Sequence, residues 1–315
     1  MQRLIFALLL LGPGLRADNP PPPTWRLRLG FNSSMFVGVN ENDARASIRA
    51  LSASIAHDHG ITAEPNPQIF SGSDSIGRAV DAEQVDAIGL TTPEFKELAD
   101  DRRFDRYLFS VHGEDPTEEY VLLVNRSDRL AQIGQLQGKT LVMVDGPRLS
   151  LAMPWLEVSL ATAGLPEGGK FFRQITHQIK PTKAILDTYF HKSDACLATR
   201  AAFAAMTELN PQIGTRLQVL ASSAPVIPSL FAIRTGLEAK TKEHVITVFT
   251  SVHETLSGQQ ALTIFQVTRV VERPLGALEP SFALLEQFAK LRPERAAEYR
   301  RRVRESTPTV APESR

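Results

Sequence analysis

From Trp25 to Arg234, short apolar runs alternate with stretches of helical spacing, and this alternation restricts the fold more than any other feature. Trp25–Phe31 places Leu27, Leu29 and Phe31 two apart, the period of a strand. A helix is expected from about Asp43, because Ala44, Ile48, Leu51 and Ile55 recur at helical spacing and Gly60 offers a stop. Strands are expected at Gln68–Phe70, Val85–Leu90, Tyr107–His112 and Tyr120–Asn125, with a helix over Ser73–Ala82. Thr91 and Glu94 fit a capping box, and Pro93 suits the first turn of the helix they open. After Gly138 the pattern restarts. Strands are expected at Thr140–Asp145, Phe171–Thr176, Asp194–Thr199, Arg216–Ser222 and Ser229–Arg234, and helices over Leu149–Ala163, Pro181–His191 and Arg200–Leu209. From about Glu238 the chain reads as helical, ending in a disordered-looking tail over 307–315.

Repeated strand–helix order predicts an α/β protein with largely parallel sheets flanked by helices. A chain of 315 residues suits two lobes better than one small core. In open α/β sheets, ligands bind beyond the carboxyl ends of the strands, where helix N-termini point. Those places carry hydroxyls and bases here. The candidate ligand-binding residues are Ser33, Ser34, Ser73, Thr91, Thr92, Arg148, Ser150, Lys180, Thr182 and Thr199, with Lys183 and Arg200 as further bases. Each hydroxyl has an alternative reading as a helix cap, and each base as solvated surface.

The N-terminus reads as a secretory signal peptide over 1–17. Arg3 precedes the apolar run Leu4–Leu11, Gly12, Pro13 and Gly14 break it, and Ala17 offers a cleavage site. The run is shorter than the roughly 20 residues a bilayer span requires. Residues 18–24, with four consecutive prolines, read as an exposed leader. The expected location is therefore the periplasm. The charge balance of 35 basic and 35 acidic residues argues against a nucleic-acid partner. A single cysteine, Cys196, allows no internal disulfide and no multi-cysteine metal site, and its mid-strand position predicts a buried, inert thiol.

Catalytic motifs do not emerge. Ser73-Asp74-Ser75-Ile76-Gly77 lacks the first glycine of a nucleophile elbow. Gly134–Thr140 has a phosphate-loop flavour, but its glycine spacing is one short and it leads into a strand. His57 and His59 stand two apart and so do not share a helix face. No enzyme, metal or cofactor is expected on these grounds.

Four stretches taken together carry a family resemblance. They are LRLGFNSS with NENDARASIRA, then AVDAEQVDAIGLTTPEFKELA, then LQGKTLVMVDGPRLSLAMPWLEVSLATAG, and finally FHKSDACLATRAAFAAMTELNPQIGTRLQVLASSAPVIPSLFAIR. In order and spacing they resemble the type II periplasmic solute-binding proteins, and more narrowly the phosphate/phosphite/phosphonate-transporter binding components. The family's Ser-Thr-Ser-Gly anion turn corresponds to Pro147-Arg148-Leu149-Ser150-Leu151 in this sequence, which keeps only Ser150 as a hydroxyl. A family histidine is replaced by Lys180-Pro181-Thr182. The resemblance implies a two-lobed clamshell, with lobe one over 25–115 plus 223–306 and lobe two over 116–222. It also implies a monomer that captures a small anion for an ABC transporter permease. The alternative is a sensing component that reports to a membrane-bound signalling protein.

Overall fold

The structure is a computed structural model that describes residues 27–58, 67–98, 103–264 and 267–305. The expected signal peptide, proline leader and C-terminal tail lie outside the described residues. Strands β1 (Leu29–Asn32), β2 (Gln68–Phe70), β3 (Ala87–Thr91), β4 (Phe104–Val111), β10 (Ser229–Arg234) and β11 (Arg269–Glu272) form one sheet, in the order β11-β4-β10-β3-β1-β2. Strands β5 (Tyr120–Asn125), β6 (Thr140–Val144), β7 (Gln174–Gln178), β8 (Ala195–Thr199) and β9 (Leu217–Ser222) form the second, in the order β7-β6-β8-β5-β9.

The α/β two-lobed architecture is as expected, but the sheets are mixed rather than largely parallel. β1 runs parallel to β2 and β3, and β6 runs parallel to β7 and β8. β10 is antiparallel to both β3 and β4, and β5 is antiparallel to both β8 and β9. The reason is topological. β5 and β10 are the strands by which the chain arrives from the other lobe, so each enters its sheet from the opposite end.

β5 shows how the second sheet is buried on both faces. Tyr120, Leu122 and Val124 join one core, while Val121 and Leu123 join the core on the other face. Such a strand reads as a continuous apolar run. Cys196 sits buried in β8, where burial pushes its thiol pKa far up.

Two expectations need correction. The segment expected as a strand from Phe171 instead closes a short helix, Gly168–Phe171, with Phe171 and Phe172 buried edge-to-face in the core; the strand begins at Gln174. The region after Glu238 is not wholly helical, because β11 pairs with β4.

Two crossings join the sheets, between β4 and β5 and between β9 and β10. They pair with each other through Glu118 and Val226, whose backbones exchange hydrogen bonds of 2.7 and 2.9 Å. The C-terminal helices add a further link. Glu279–Leu291 packs on the Ala152–Thr162 helix beside the second sheet, with Phe288 against Val158. Pro293–Glu305 returns to the Ser73–Asp81 and Thr92–Leu98 helices beside the first.

Candidate functional site

A cavity of about 850 Å³ lies between the lobes. On the second-sheet side, three chain segments reach it. Gly146 to Leu149 follows β6, Pro181 and Thr182 open a helix after β7, and Thr199 ends β8 and caps the Arg200–Leu209 helix by accepting from Ala202 N at 3.2 Å. Ser110 and Ser229 of the first sheet face it, as does His112 just after β4.

Arg148 is the cation at this junction. Its Nε donates to Glu118 in the crossing, and its carbonyl accepts from the Tyr120 hydroxyl at 3.1 Å. Its Nη2 is buried and has no hydrogen-bond partner among the described residues. The Glu118 side chain is 2% exposed. Burial pushes its pKa up, and the Arg148 guanidinium opposes that rise. Nearby, Asp145 accepts from His177 Nδ1 at 2.8 Å, and this bond raises the His177 pKa against the effect of burial.

The other sequence candidates separate into two groups. Thr182 and Thr199 line the cavity with Arg148, whereas Lys180 is exposed and does not line it. Ser33, Ser34, Ser73, Thr91, Thr92 and Ser150 are not among the lining residues either. Thr92 and Ser150 do meet, on the second crossing. Thr92 N and Ser150 Oγ each donate to the Pro228 carbonyl at 2.7 Å, and Thr92 Oγ1 donates to the Ile227 carbonyl at 2.6 Å.

Ser34 and Thr91 lie near Glu94, and Ser73 opens a helix on which the Pro293–Glu305 helix packs. Glu94 accepts from Thr91 N at 2.8 Å, one half of the expected capping box. Burial raises the Glu94 pKa, and the neighbouring polar groups of Ser34, Thr91 and Asn32 oppose that rise. Ser73 Oγ is buried, and Ser33 Oγ donates to Asn32 Oδ1. The tight seat of the C-terminal helix shows at Gly72 (φ +78°), where an added Cβ would stand 2.0 Å from the Arg304 carbonyl oxygen.

The family model for periplasmic phosphonate-binding proteins of ABC transporters matches residues 40–273. The chain belongs to this family. Its members are substrate-binding proteins of the periplasm that work with ABC transporters. Among curated proteins, no sequence matches the chain.

Solved structures agree in fold. A binding-protein component of an ABC phosphonate transporter from Pseudomonas aeruginosa is 14% identical with a TM-score of 0.56, covering 90% of this chain and 99% of its own. PhnD1 from Prochlorococcus marinus, in complex with methylphosphonate, is 12% identical with a TM-score of 0.58, covering 84% and 99%. XAC2383 from Xanthomonas citri, bound to ATP, is 16% identical with a TM-score of 0.57, covering 88% and 99%.

Sequence reasoning missed the apolar wall of the cavity. Phe31, Phe231 and Phe249 line it from the first-sheet side, as do Ile48 and Val248. The strand alternation through Leu27, Leu29 and Phe31 points these residues inward, and a core face and a cavity wall give the same pattern. The mouth carries a clearer signal. Val37 and Val39, after β1, are 37% and 53% exposed, and Ile179 and Leu209, from the other lobe, are 54% and 83% exposed.

Proposed function

We propose that this chain captures a small oxyanion of the phosphonate type between its two lobes and hands it to an ABC importer. Arg148 carries the reading. A guanidinium fixed by a buried carboxylate at the edge of an interlobe cavity is suited to a charge-assisted bond to an anion. Thr182 and Thr199 would add hydroxyl contacts, and the Arg200–Leu209 helix presents its N-terminal end there. Methylphosphonate, the ligand of the Prochlorococcus relative, is the first compound to try.

The working unit in this reading is a monomer, exported with cleavage near Ala17, whose lobes span 25–115 plus 223–306 and 116–222. Thermal-shift and calorimetric titration with phosphate, phosphonates, sulfonates and small carboxylates test the ligand class, because a ligand that binds the native state raises apparent stability. The reading fails if no oxyanion binds, or if Arg148→Met binds as the parent does. Mass spectrometry of periplasmic protein tests export; a mature chain that begins at Met1 sinks that part.

A further inference from the structure

We propose that the natural ligand is an amphipathic anion, with an acidic head at Arg148 and an apolar body that enters a chamber in the first-sheet lobe. This rests on the oxyanion reading above and names the rest of the molecule.

The first observation is size. About 850 Å³ falls near the top of the range of roughly 300–1,000 Å³ that holds drug-sized ligands, and a one-carbon oxyanion leaves most of it empty. The second is the wall. Beyond the Arg148 end, the cavity runs between one face of the first sheet (Phe31, Phe231, Val270) and the helices packed over it (Ile48, Val248, Phe249). Phe31 and Phe231 meet edge-to-face with ring centroids 5.4 Å apart, and Phe231 and Phe249 lie 5.3 Å apart, so the wall is aromatic and continuous. Apolar walls of this kind take apolar guests, although Ser47, Ser52, Thr241 and His244 also line the cavity.

The third observation is the mouth, where Val37, Val39, Ile179 and Leu209 leave apolar surface exposed on both lobes. Clustered exposed apolar residues mark a contact site. The fourth is where the hydroxyls went. Ser73, Thr91 and Thr92, which would have surrounded a compact oxyanion on the first-sheet side, are buried away from the cavity, and Ser34, whose Oγ is buried, does not line it either. The charged lining residues, Asp145 and Arg148, thus belong to the second lobe and the aromatic ones, Phe31, Phe36, Phe231 and Phe249, to the first, although Ser110, His112 and Ser229 also face the cavity from the first. A ligand that spans both must be polar at one end and apolar at the other.

The test is calorimetry on the mature chain with methyl-, butyl-, hexyl- and octylphosphonate, and with the matching n-alcohols. Each buried methylene should tighten binding about fourfold, so hexylphosphonate should bind at least about a hundredfold tighter than methylphosphonate. The alcohols should bind far more weakly than phosphonates of equal length. Val248→Phe, which fills the chamber, should flatten the dependence on chain length, and Phe231→Ala, which enlarges it, should move the optimum to longer chains. Methylphosphonate binding as tightly as hexylphosphonate overturns the proposal and leaves the oxyanion reading standing. Alcohols that match the phosphonates overturn the acidic head, and binding of no phosphonate at any length overturns both readings.

Discussion

Thr92, from the first-sheet lobe, and Ser150, from the second, donate to the same acceptor, the carbonyl of Pro228, each at 2.7 Å. Ile227 beside it accepts from Thr92 Oγ1 and from Ser281 Oγ, at 2.6 and 3.0 Å. The second crossing is thereby pinned to a helix start on each side, and the two hydroxyls hold that crossing in place.

Thr92→Val and Ser150→Ala are therefore expected to act on stability. Each should lower the free energy of unfolding by about 0.5–1.5 kcal/mol, the usual net value of one hydrogen bond. Because both residues act on adjacent carbonyls of one strand, the double variant should depart from additivity. Urea unfolding of the four proteins measures this. A strictly additive pair would argue that the crossing does not couple them.

Arg148→Met tests the charged junction. It strands the Glu118 carboxylate, whose side chain is 2% exposed. Breaking a buried pair from one side typically costs about 3–5 kcal/mol, whereas replacing both partners is often neutral. The single variant should unfold at markedly lower denaturant and lose oxyanion binding. Arg148→Met with Glu118→Gln should recover most of the stability and none of the binding. Recovered binding would mean that Arg148 only neutralises Glu118.

Most of the fold was legible in the sequence where strands are buried on both faces. Tyr120–Asn125 and Ser229–Arg234 match their expected bounds because a central strand must be apolar at nearly every position. The strand whose bounds shifted, β7, and the one that escaped, β11, are both sheet edges. β7 reads Gln-Ile-Thr-His-Gln and is largely exposed, and β11 is four residues long. The edge strands β2 and β9 were nonetheless legible, so it is exposure in β7 and brevity within a helical stretch in β11 that weaken the pattern. The lining of the candidate cavity was legible in part. Arg148, Thr182 and Thr199 could be placed beyond strand ends by topology alone. That Ser73 would be buried could not, because the helix that packs on its own, Pro293–Glu305, is more than 200 residues away in the sequence.

Glu94 supplies a pH dependence whose sign is opposite to that of most carboxylates. Its folded-state pKa is raised, above all by burial. Below the ordinary glutamate value, near 4.3, both folded and unfolded chains are protonated there. As pH rises above that value, the unfolded chain gives up the proton first, and stability falls until the folded pKa is passed. Glu94→Gln keeps a side chain suited to the capping position and removes the charge. Denaturation midpoints measured between pH 4 and pH 8 should fall less steeply for Glu94→Gln than for the parent. Parallel profiles would show that Glu94 is not the group responsible.

Tyr299 ties the C-terminal helix to the second lobe. Its hydroxyl donates to the Ser150 carbonyl at 2.6 Å, while the helix that carries it packs on Thr92–Leu98 and Ser73–Asp81 of the first. The bond therefore spans the lobes at a point where Ser150 also grips the crossing strand. Burial pushes the Tyr299 pKa well above the ordinary tyrosine value, so the hydroxyl remains a donor at any physiological pH. Tyr299→Phe keeps the edge-to-face contact with Phe288, whose ring centroid is 5.8 Å away, and removes only the bond. The expected global cost is about 0.5–1.5 kcal/mol. The local effect should be larger in kind. Amide exchange over Ser150–Leu156 should accelerate, and small-angle scattering of the ligand-free variant should give a larger radius of gyration than the parent, because the lobes open further about the crossings. If exchange and radius both stay at parental values while the stability loss appears, Tyr299 contributes packing alone and the lobes are held by the crossings.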